Sequence, residues 1–421
     1  MASFSAKERY AARVLSSMPA LKNRVKYLYQ AICYLRYGTK NPAFRSDYPI
    51  IPVGELGDEM SSFGGYYDRP TMMGEVIFTH TTLCDTSKKP SKDAPVNVCI
   101  YDMAEKRMLK MGMSHSYTWQ QGCKTQWIDE DRLIYNVFED GHYQSHVFSL
   151  KENKVVKTFA YPNQDSYRDK FFLSIDYRRI MALRPDYGYR NLPLPSKEEM
   201  LDMEHDGIRM IDYQTGECRL LHSLKDIASI QPKEVFGRCS HVANHLMVNP
   251  KGSRFIFIHR FYEGNVRHDR LMVSDFNAMR VLVDDNMVSH CHWIDNEHIV
   301  GYLRYQGKDG FYFCDVVTGE VTCCDEMNAL QNGDGHPTCH GEWIAFDSYP
   351  DKGRMQHLYL YNRKTRQLRQ LLEVKHGLKF QGEGRCDLHP RFSQDGKYIS
   401  FDSVMTGKRR QYYVDVSNIV G

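Results

Sequence analysis

Residues 389–416 read HPRFSQDGKYISFDSVMTGKRRQYYVDV. A short strand enters a polar turn at Ser393-Gln394-Asp395-Gly396, a β-rich strand follows, and a loop leads into a further strand. Asp-Gly between two such runs is a hairpin signal, because the turn needs a residue that tolerates positive φ. The same order recurs upstream. HLMVNPKGSRFIFIHRF (245–261) continues to HDRLMVSDFNAMRVLV (268–283), and CHWIDNEHIVGYLRY (291–305) to GFYFCDVVTGEVTCC (310–324). HGEWIAFDSYPDKGRMQHLYLYNRKTRQLRQLL (340–372) is a further clear copy. Looser copies cover 125–159, the pair 171–186 and 206–221, and the pair 74–82 and 95–111.

These make seven units, starting near residues 74, 123, 171, 245, 290, 336 and 386. A spacing of roughly 40 to 70 residues suits four-stranded propeller blades with loop insertions. A β-sandwich needs only about seven to nine strands in total and fits seven similar units poorly. The expected fold is all-β, a seven-bladed β-propeller over residues 74–421, preceded by an N-terminal α-helical extension. Residues 41–73 are expected as a linker packing on the propeller, and residues 1–40 as an amphipathic helical segment. In that segment Leu21, Val25, Leu28, Ile32 and Leu35 fall on one helical face, and Pro19 separates them from a shorter helix over Ser5 to Ser17. Lys22, Arg24, Lys26 and Arg36 lie opposite. Such a helix packs on the propeller or docks on an anionic membrane surface or a partner.

Composition narrows the class. Lys plus Arg is 55 against 52 Asp plus Glu, a formal charge of +3, so a nucleic-acid partner is not expected. Hydrophobic content of 42% supports a core and excludes wholesale disorder. The first 25 residues, MASFSAKERYAARVLSSMPALKNRV, hold no unbroken apolar stretch, and no secretory signal is expected. No run of about 18 apolar residues occurs either. The 12 cysteines are then expected as reduced thiols, with a cytoplasmic localisation.

The 18 histidines are the unusual feature. In a propeller, residues just before each inner strand and at the end of each second strand ring one mouth of the central channel. The inner-strand starts carry His115, His241, His245, His290, His292, His336, His340 and His389. Second-strand ends carry His80, Asn136, Arg184, His259, Arg260, Arg304, Asp347 and Asp402. Loops from all blades converge on such a mouth, which makes it the place for a ligand. Three successive units place SHCHW (289–293), DGHPTCH (334–340) and RCDLHP (385–390) at equivalent points. Imidazole and thiolate favour tetrahedral zinc, and His290, His336, Cys386 and His389 are the expected ligands, with His292 and Cys339 as substitutes. Manganese is the second choice of divalent metal. A hydrogen-bonded polar layer between blades is the alternative use of the same residues.

SYTWQQGCKTQW (116–127), IYN (134–136), RPDYGY (184–189), HVANHLMVNPKGSRFIFIHRF (241–261), DGH (334–336) and RCDLHPRFSQDGKYISFDS (385–403) together resemble the seven-bladed propeller polysaccharide lyases. Ulvan lyases are the nearer likeness and oligogalacturonate lyases the more distant. The resemblance implies β-elimination on uronate-containing oligosaccharides or polysaccharides. Such an enzyme neutralises the uronate carboxylate, removes the C5 proton and protonates the leaving oxygen. Carried onto this chain, Arg184 or Arg260 is the neutraliser, His115 or His245 the base, and Tyr187 or Tyr189 the acid or the base's partner. Trp119, Gln120, Asn136, His241, His259 and Arg304 are the expected substrate contacts. Two other readings stand beside the enzyme: a non-catalytic propeller that binds a glycan or protein, and a propeller recruited by its N-terminal helix to a membrane-bound glycan assembly system.

Overall fold

The computed structural model describes residues 19–420. Seven antiparallel sheets succeed one another along the chain. The first blade runs through Val76–Thr82, Val96–Asp102 and Arg107–Ser114. The second has Gln126–Trp127, Arg132–Glu139, His142–Ser149 and Lys154–Phe159, and the third has Asp165–Tyr167, Phe171–Ser174, Gly207–Asp212 and Cys218–Ser223. The fourth comprises Ser240–Val248, Phe255–Glu263, Val266–Ser274 and Met279–Val283. Val288–Trp293, His298–Tyr305, Lys308–Asp315 and Val321–Cys323 form the fifth. The sixth is built from Thr338–His340, Trp343–Asp347, Met355–Asn362 and Gln367–Lys375; Arg391–Phe392, Tyr398–Ser403 and Arg410–Asp415 belong to the seventh. The chain is a seven-bladed β-propeller.

The repeat has a local cause. An Asp or Asn at or just beyond the end of the third strand accepts the backbone N–H groups of the turn that follows: Asp212 from Gln214 and Thr215, Asp315 from Val317 and Thr318, Asn362 from Lys364 and Thr365. Short polar side chains make such turns, and the outer hairpin folds back there. In the first, second, third, fourth and sixth blades the register between the two outer strands shifts by a bulge, which adds twist where the blade is widest. Between blades the cores alternate with the sheets. Phe78 and Val98 meet Leu133 and Val137, while Met247 and Leu271 meet Trp293 and Ile299. Leu358 and Leu372 meet Ile399 and Phe401, and Ile77 and Tyr101 meet Tyr413 to join the seventh blade to the first. Each such aliphatic or phenyl side chain stabilises by about 1.5–3 kcal/mol on full burial.

Residues 41–73, expected as a linker, carry four short strands. Phe44–Ser46 pairs with Val374–Leu372 as a fifth strand of the sixth blade. Ile51–Pro52 supplies the outer strand of the seventh blade, against Tyr413 and Tyr412. Ser61–Phe63 and Met72–Met73 both line the inner edge of the first blade. Between the last two, Gly64 to Arg69 threads the middle of the ring. The Gly64 amide donates to Asp402 Oδ1 (2.8 Å), Arg391 Nη2 donates to the Gly65 carbonyl (2.7 Å), and Tyr67 Oη donates to the Cys291 carbonyl (2.9 Å). Lys124 Nζ lies 2.6 Å from Asp68, and Arg69 Nε lies 2.7 Å from Asp165. This segment therefore touches blades or blade connections around most of the ring. Gly65 has φ +105°, and a Cβ on Gly64 would sit 2.6 Å from the Arg391 guanidinium, so both positions require glycine.

An α-helix spans Pro19–Cys33 and runs into a π-turn, Tyr34–Gly38. Val25, Leu28, Ile32 and Leu35 are exposed, so these members of the apolar stripe face solvent and not the propeller. The expected helix over Ser5 to Ser17 lies outside the described residues, as does the Leu21 side chain. Among the described residues no helix is long and apolar enough to cross a membrane.

Candidate functional site

The inner strands of the fourth to seventh blades and the loops before them bring four histidines to one end of the channel. The His290 and His336 rings have centroids 3.9 Å apart, and the His336 and His389 rings 4.4 Å. His245 lies next to His290, 6.4 Å between centroids. Tyr66 and Tyr67 from the channel segment fill the space between: Tyr66 stacks on His245, and Tyr67 packs against His290, His336 and His389.

His336 Nδ1 is held by both oxygens of Asp347, at 2.9 and 3.0 Å. Asp347 also accepts the His336 and His389 backbone amides, so one carboxylate orients two blades' histidines. His389 Nδ1 donates to the Gly65 carbonyl (3.0 Å). The Nε2 atoms of both rings are buried and have no hydrogen-bond partner among the described residues. Asp387 completes the group: one donor atom from each of His336, Asp387 and His389 lies within 4.8 Å of the others. Residues 387 and 389 lie in the loop before the seventh blade's inner strand, and His389 has φ +46°, the left-handed region for a non-glycine residue. A carboxylate on one imidazole nitrogen with the other left free is the arrangement that orients metal-ligating histidines. Burial, with His336 adding to it, holds His389 well below the ordinary imidazole value. Burial also opposes charge on His336, yet the Asp347 carboxylate outweighs it and holds this imidazole above the usual range.

His290 Nδ1 lies 3.1 Å from Asp334, whose other oxygen accepts from Ser289 Oγ. Cys386 turns away from this group. It is fully buried with Phe380 and Val404, and burial pushes its thiol up to about 12, unfavourable for a thiolate. Asp387 stands among the grouped donors where the sequence reading put Cys386.

His245 has φ +52°, the left-handed region for a non-glycine residue, and both its ring nitrogens are buried without a hydrogen-bond partner among the described residues. Burial, then the nearby Arg260, keeps its imidazole neutral far below the usual value. Tyr187 meets it edge-on at 4.8 Å, and the Arg184 guanidinium lies over the Tyr187 ring at 5.1 Å. Arg260 is buried with Asp269 3.2 Å away. Arg385, which the sequence reading did not single out, bridges Asp387 (2.8 Å) and Asp186 (2.6 Å). Arg184, Tyr187, His245, Arg260, His290, His336 and His389 are thus gathered in one region.

The remaining expected residues make contacts within the chain. His115 Nδ1 hydrogen-bonds the Lys92 carbonyl (2.9 Å) on the connection after the first blade. Trp119 donates to the Lys88 carbonyl and packs on Phe63, while Gln120 donates to the Arg385 carbonyl. Asn136 is saturated by Asn163, Ser145 and Tyr189, and Tyr189 stacks on Tyr177 at 4.0 Å. His241 and His259 form a directed chain. His241 Nε2 donates to the Phe236 carbonyl, its Nδ1 accepts from His259 Nε2, and His259 Nδ1 accepts from Arg270. Arg304 pairs with Asp309 across its hairpin.

A cavity of about 700 Å³ opens at the opposite mouth, among the turns after the inner strands. Arg69, Trp127, Asp129, Tyr167, Arg168 and Pro250 are among its walls. Size alone would favour that mouth, but the unpaired imidazoles and grouped metal donors lie at the other.

No protein-family model matches the chain, and no curated protein matches it. Solved structures do. An oligogalacturonate lyase in complex with manganese superposes with a TM-score of 0.56 at 16% identity, covering 90% of this chain and 98% of that one. An oligogalacturonate lyase from Vibrio parahaemolyticus gives 0.55 at 14% identity, with coverage of 90% and 98%. A prolyl endopeptidase structure also matches, with a TM-score of 0.48 at 10% identity, covering 85% of this chain and 50% of that one. At these identities the likeness is one of fold.

Proposed function

We propose that this protein is a metal-dependent lyase that cleaves uronate-bearing oligosaccharides by β-elimination at the histidine-lined mouth. The observation that carries the reading is the pairing of two sets: a neutral, unpartnered His245 among arginines, and the convergent donors His336, Asp387 and His389. The free Nε2 atoms and the adjacent carboxylate fit a divalent cation, and a nitrogen–oxygen set without thiolate suits manganese as well as zinc. Bound there, the cation would supply positive charge to the uronate carboxylate. The full architectural match to oligogalacturonate lyases supports an oligosaccharide substrate; a sulfated uronate polymer of the ulvan kind is the alternative within the same chemistry.

The protein's own groups divide the work. Arg184 and Arg260 bring two more cations to the sugar carboxylate, where charge builds up as the C5 proton leaves. His245 takes that proton on a free ring nitrogen, which its neutrality permits. Tyr187, edge-on to His245, returns a proton to the leaving oxygen as the C4–O bond breaks and the C4–C5 double bond forms. Exposing metal-loaded protein to galacturonate oligosaccharides tests this through the ultraviolet absorbance of the unsaturated product. No absorbance rise with manganese or zinc across a panel of uronates would exclude it.

One observation favours a second reading, a binding propeller: the roomy cavity lies at the mouth away from the histidines. A glycan bound without turnover, and unaffected by His245→Ala, would select it. Docking of the N-terminal helix on an anionic membrane belongs to the proposal as well, supported by the solvent-facing Leu28, Ile32 and Leu35. Sedimentation with anionic vesicles, abolished by Ile32→Asp, is the expected result.

A further inference from the structure

Tyr66 and Tyr67 are neighbours on the channel segment, and both are almost wholly buried, at 5% and 2% exposure. Their hydroxyls have different fates. Tyr67 Oη donates to the Cys291 carbonyl at 2.9 Å, whereas Tyr66 Oη has no hydrogen-bond partner among the described residues. The Tyr66 ring is held firmly. It stacks on His245 (5.2 Å, 18° between planes) and meets His389 (5.0 Å) and Tyr187 (5.9 Å) edge-on. Arg391 holds the Tyr66 carbonyl at 2.9 Å. The hydroxyl is therefore fixed in place with its bonding unspent.

Unpaired polar atoms occur in several of its neighbours. Both nitrogens of His245, the Nε2 atoms of His336 and His389, the Asn244 amide and Arg260 Nη1 are all buried without hydrogen-bond partners among the described residues, while Arg260 Nε lies 3.2 Å from Asp269. Buried polar groups in a folded protein are ordinarily paired. A cluster of unpaired ones, with donors and acceptors intermixed, matches a ligand that presents both in alternation around a ring and also carries negative charge. A uronic acid sugar has that chemistry.

We propose that Tyr66 is a substrate-contacting residue, its hydroxyl bonding an oxygen of the bound uronate. The identity of the ligand rests on the lyase reading; the free hydroxyl does not. The segment before the first blade would then furnish part of the site, which the blades alone leave incomplete.

Tyr66→Phe and Tyr67→Phe form a matched pair, since each removes one oxygen and keeps the ring. In the full-length, manganese-loaded protein, Tyr66→Phe is expected to lower kcat/KM on galacturonate oligosaccharides by about tenfold to a hundredfold. Its melting temperature should equal or exceed the wild type's, because no internal bond is lost. Tyr67→Phe should melt lower, because its bond to the Cys291 carbonyl is lost. Unchanged kcat/KM in Tyr66→Phe overturns the proposal. So does a drop in melting temperature matching that of Tyr67→Phe. Wild-type inactivity on every uronate would sink the lyase reading by itself. The melting comparison still decides whether the Tyr66 hydroxyl is free.

Discussion

His80, at the channel end of the first blade, is fully buried, and the Arg391 guanidinium is the charged group that acts on it. Its Nδ1 lies 3.1 Å from the Phe63 carbonyl, and its Nε2 faces Cys123 and Thr125. Burial lowers its pKa to about 4, and burial does the same to His292. The folded values lie below the unfolded one, so the unfolded chain takes up protons first as pH falls. The stabilisation is complete above about pH 6.5, declines towards pH 4 and changes no further below it; His80 alone accounts for about 2 kcal/mol by pH 5. Urea denaturation at pH 7.5 and pH 5 measures this, and equal stabilities would contradict it. The metal donors give a second residue-scale expectation. His389→Ala or Asp387→Asn should weaken manganese binding about tenfold or more in titration calorimetry, while Cys386→Ser leaves it unchanged. These residues also show what the sequence could reveal. Repeat register identified the end of the channel where His245, His290, His336 and His389 meet. It could not show that His115 follows the outer strand of the first blade, nor that the register shift after Asn244 and the positive φ of His245 set that ring apart from His241 on the same strand. Asp387 was hidden because a carboxylate beside a Cys and a His draws less notice than either.

At the scale of elements, the blades were legible because their strands are long enough to show alternation and their turns carry Asp, Asn and Gly. The N-terminal strands were not. Phe44–Ser46, Ile51–Pro52 and Met72–Met73 are two or three residues each, too short for any period to appear, and for the first two the partners lie about 330 and 360 residues away. Pairing of that kind is a property of ring closure rather than of local sequence. Ile51–Pro52 completes the seventh blade and Val53 packs with Ile77 and Tyr413, so this segment ties the last blade to the first. Deleting residues 1–55 should lower stability by about 2–4 kcal/mol, from lost ladder bonds and the buried Val53. Thermal unfolding with limited proteolysis of the 367–375 and 410–415 strands, whose edges the deletion uncovers, would register the loss. An unaltered melt would mean that the ring closes without its N-terminal strap.

Across the whole molecule, the segment from Gly64 to Arg69 connects what the seven repeats leave separate. Its first half bonds Asp402 and Arg391 of the seventh blade, its tyrosines lie among the histidines, and its last residue lines the cavity at the far mouth. Arg69 anchors that end. Two of its nitrogens pair with both oxygens of Asp165, a carboxylate with no exposed surface that also accepts the Val248 amide. Removing one partner of a buried pair leaves the other charge uncompensated, a loss of about 3–5 kcal/mol, so Arg69→Ala should melt well below the wild type. Adding Asp165→Asn to it should recover part of that stability, since the stranded charge is gone. The informative measurement is manganese affinity in the double variant. A segment that transmits its position from one mouth to the other will place Tyr66 and Tyr67 less firmly against His336 and His389 once Arg69 is lost, and binding should weaken even where folding is restored. Affinity equal to the wild type's in a stable double variant would show that the histidine mouth is held by the blades and Arg391 alone, with the far end of the segment serving only to fasten the chain.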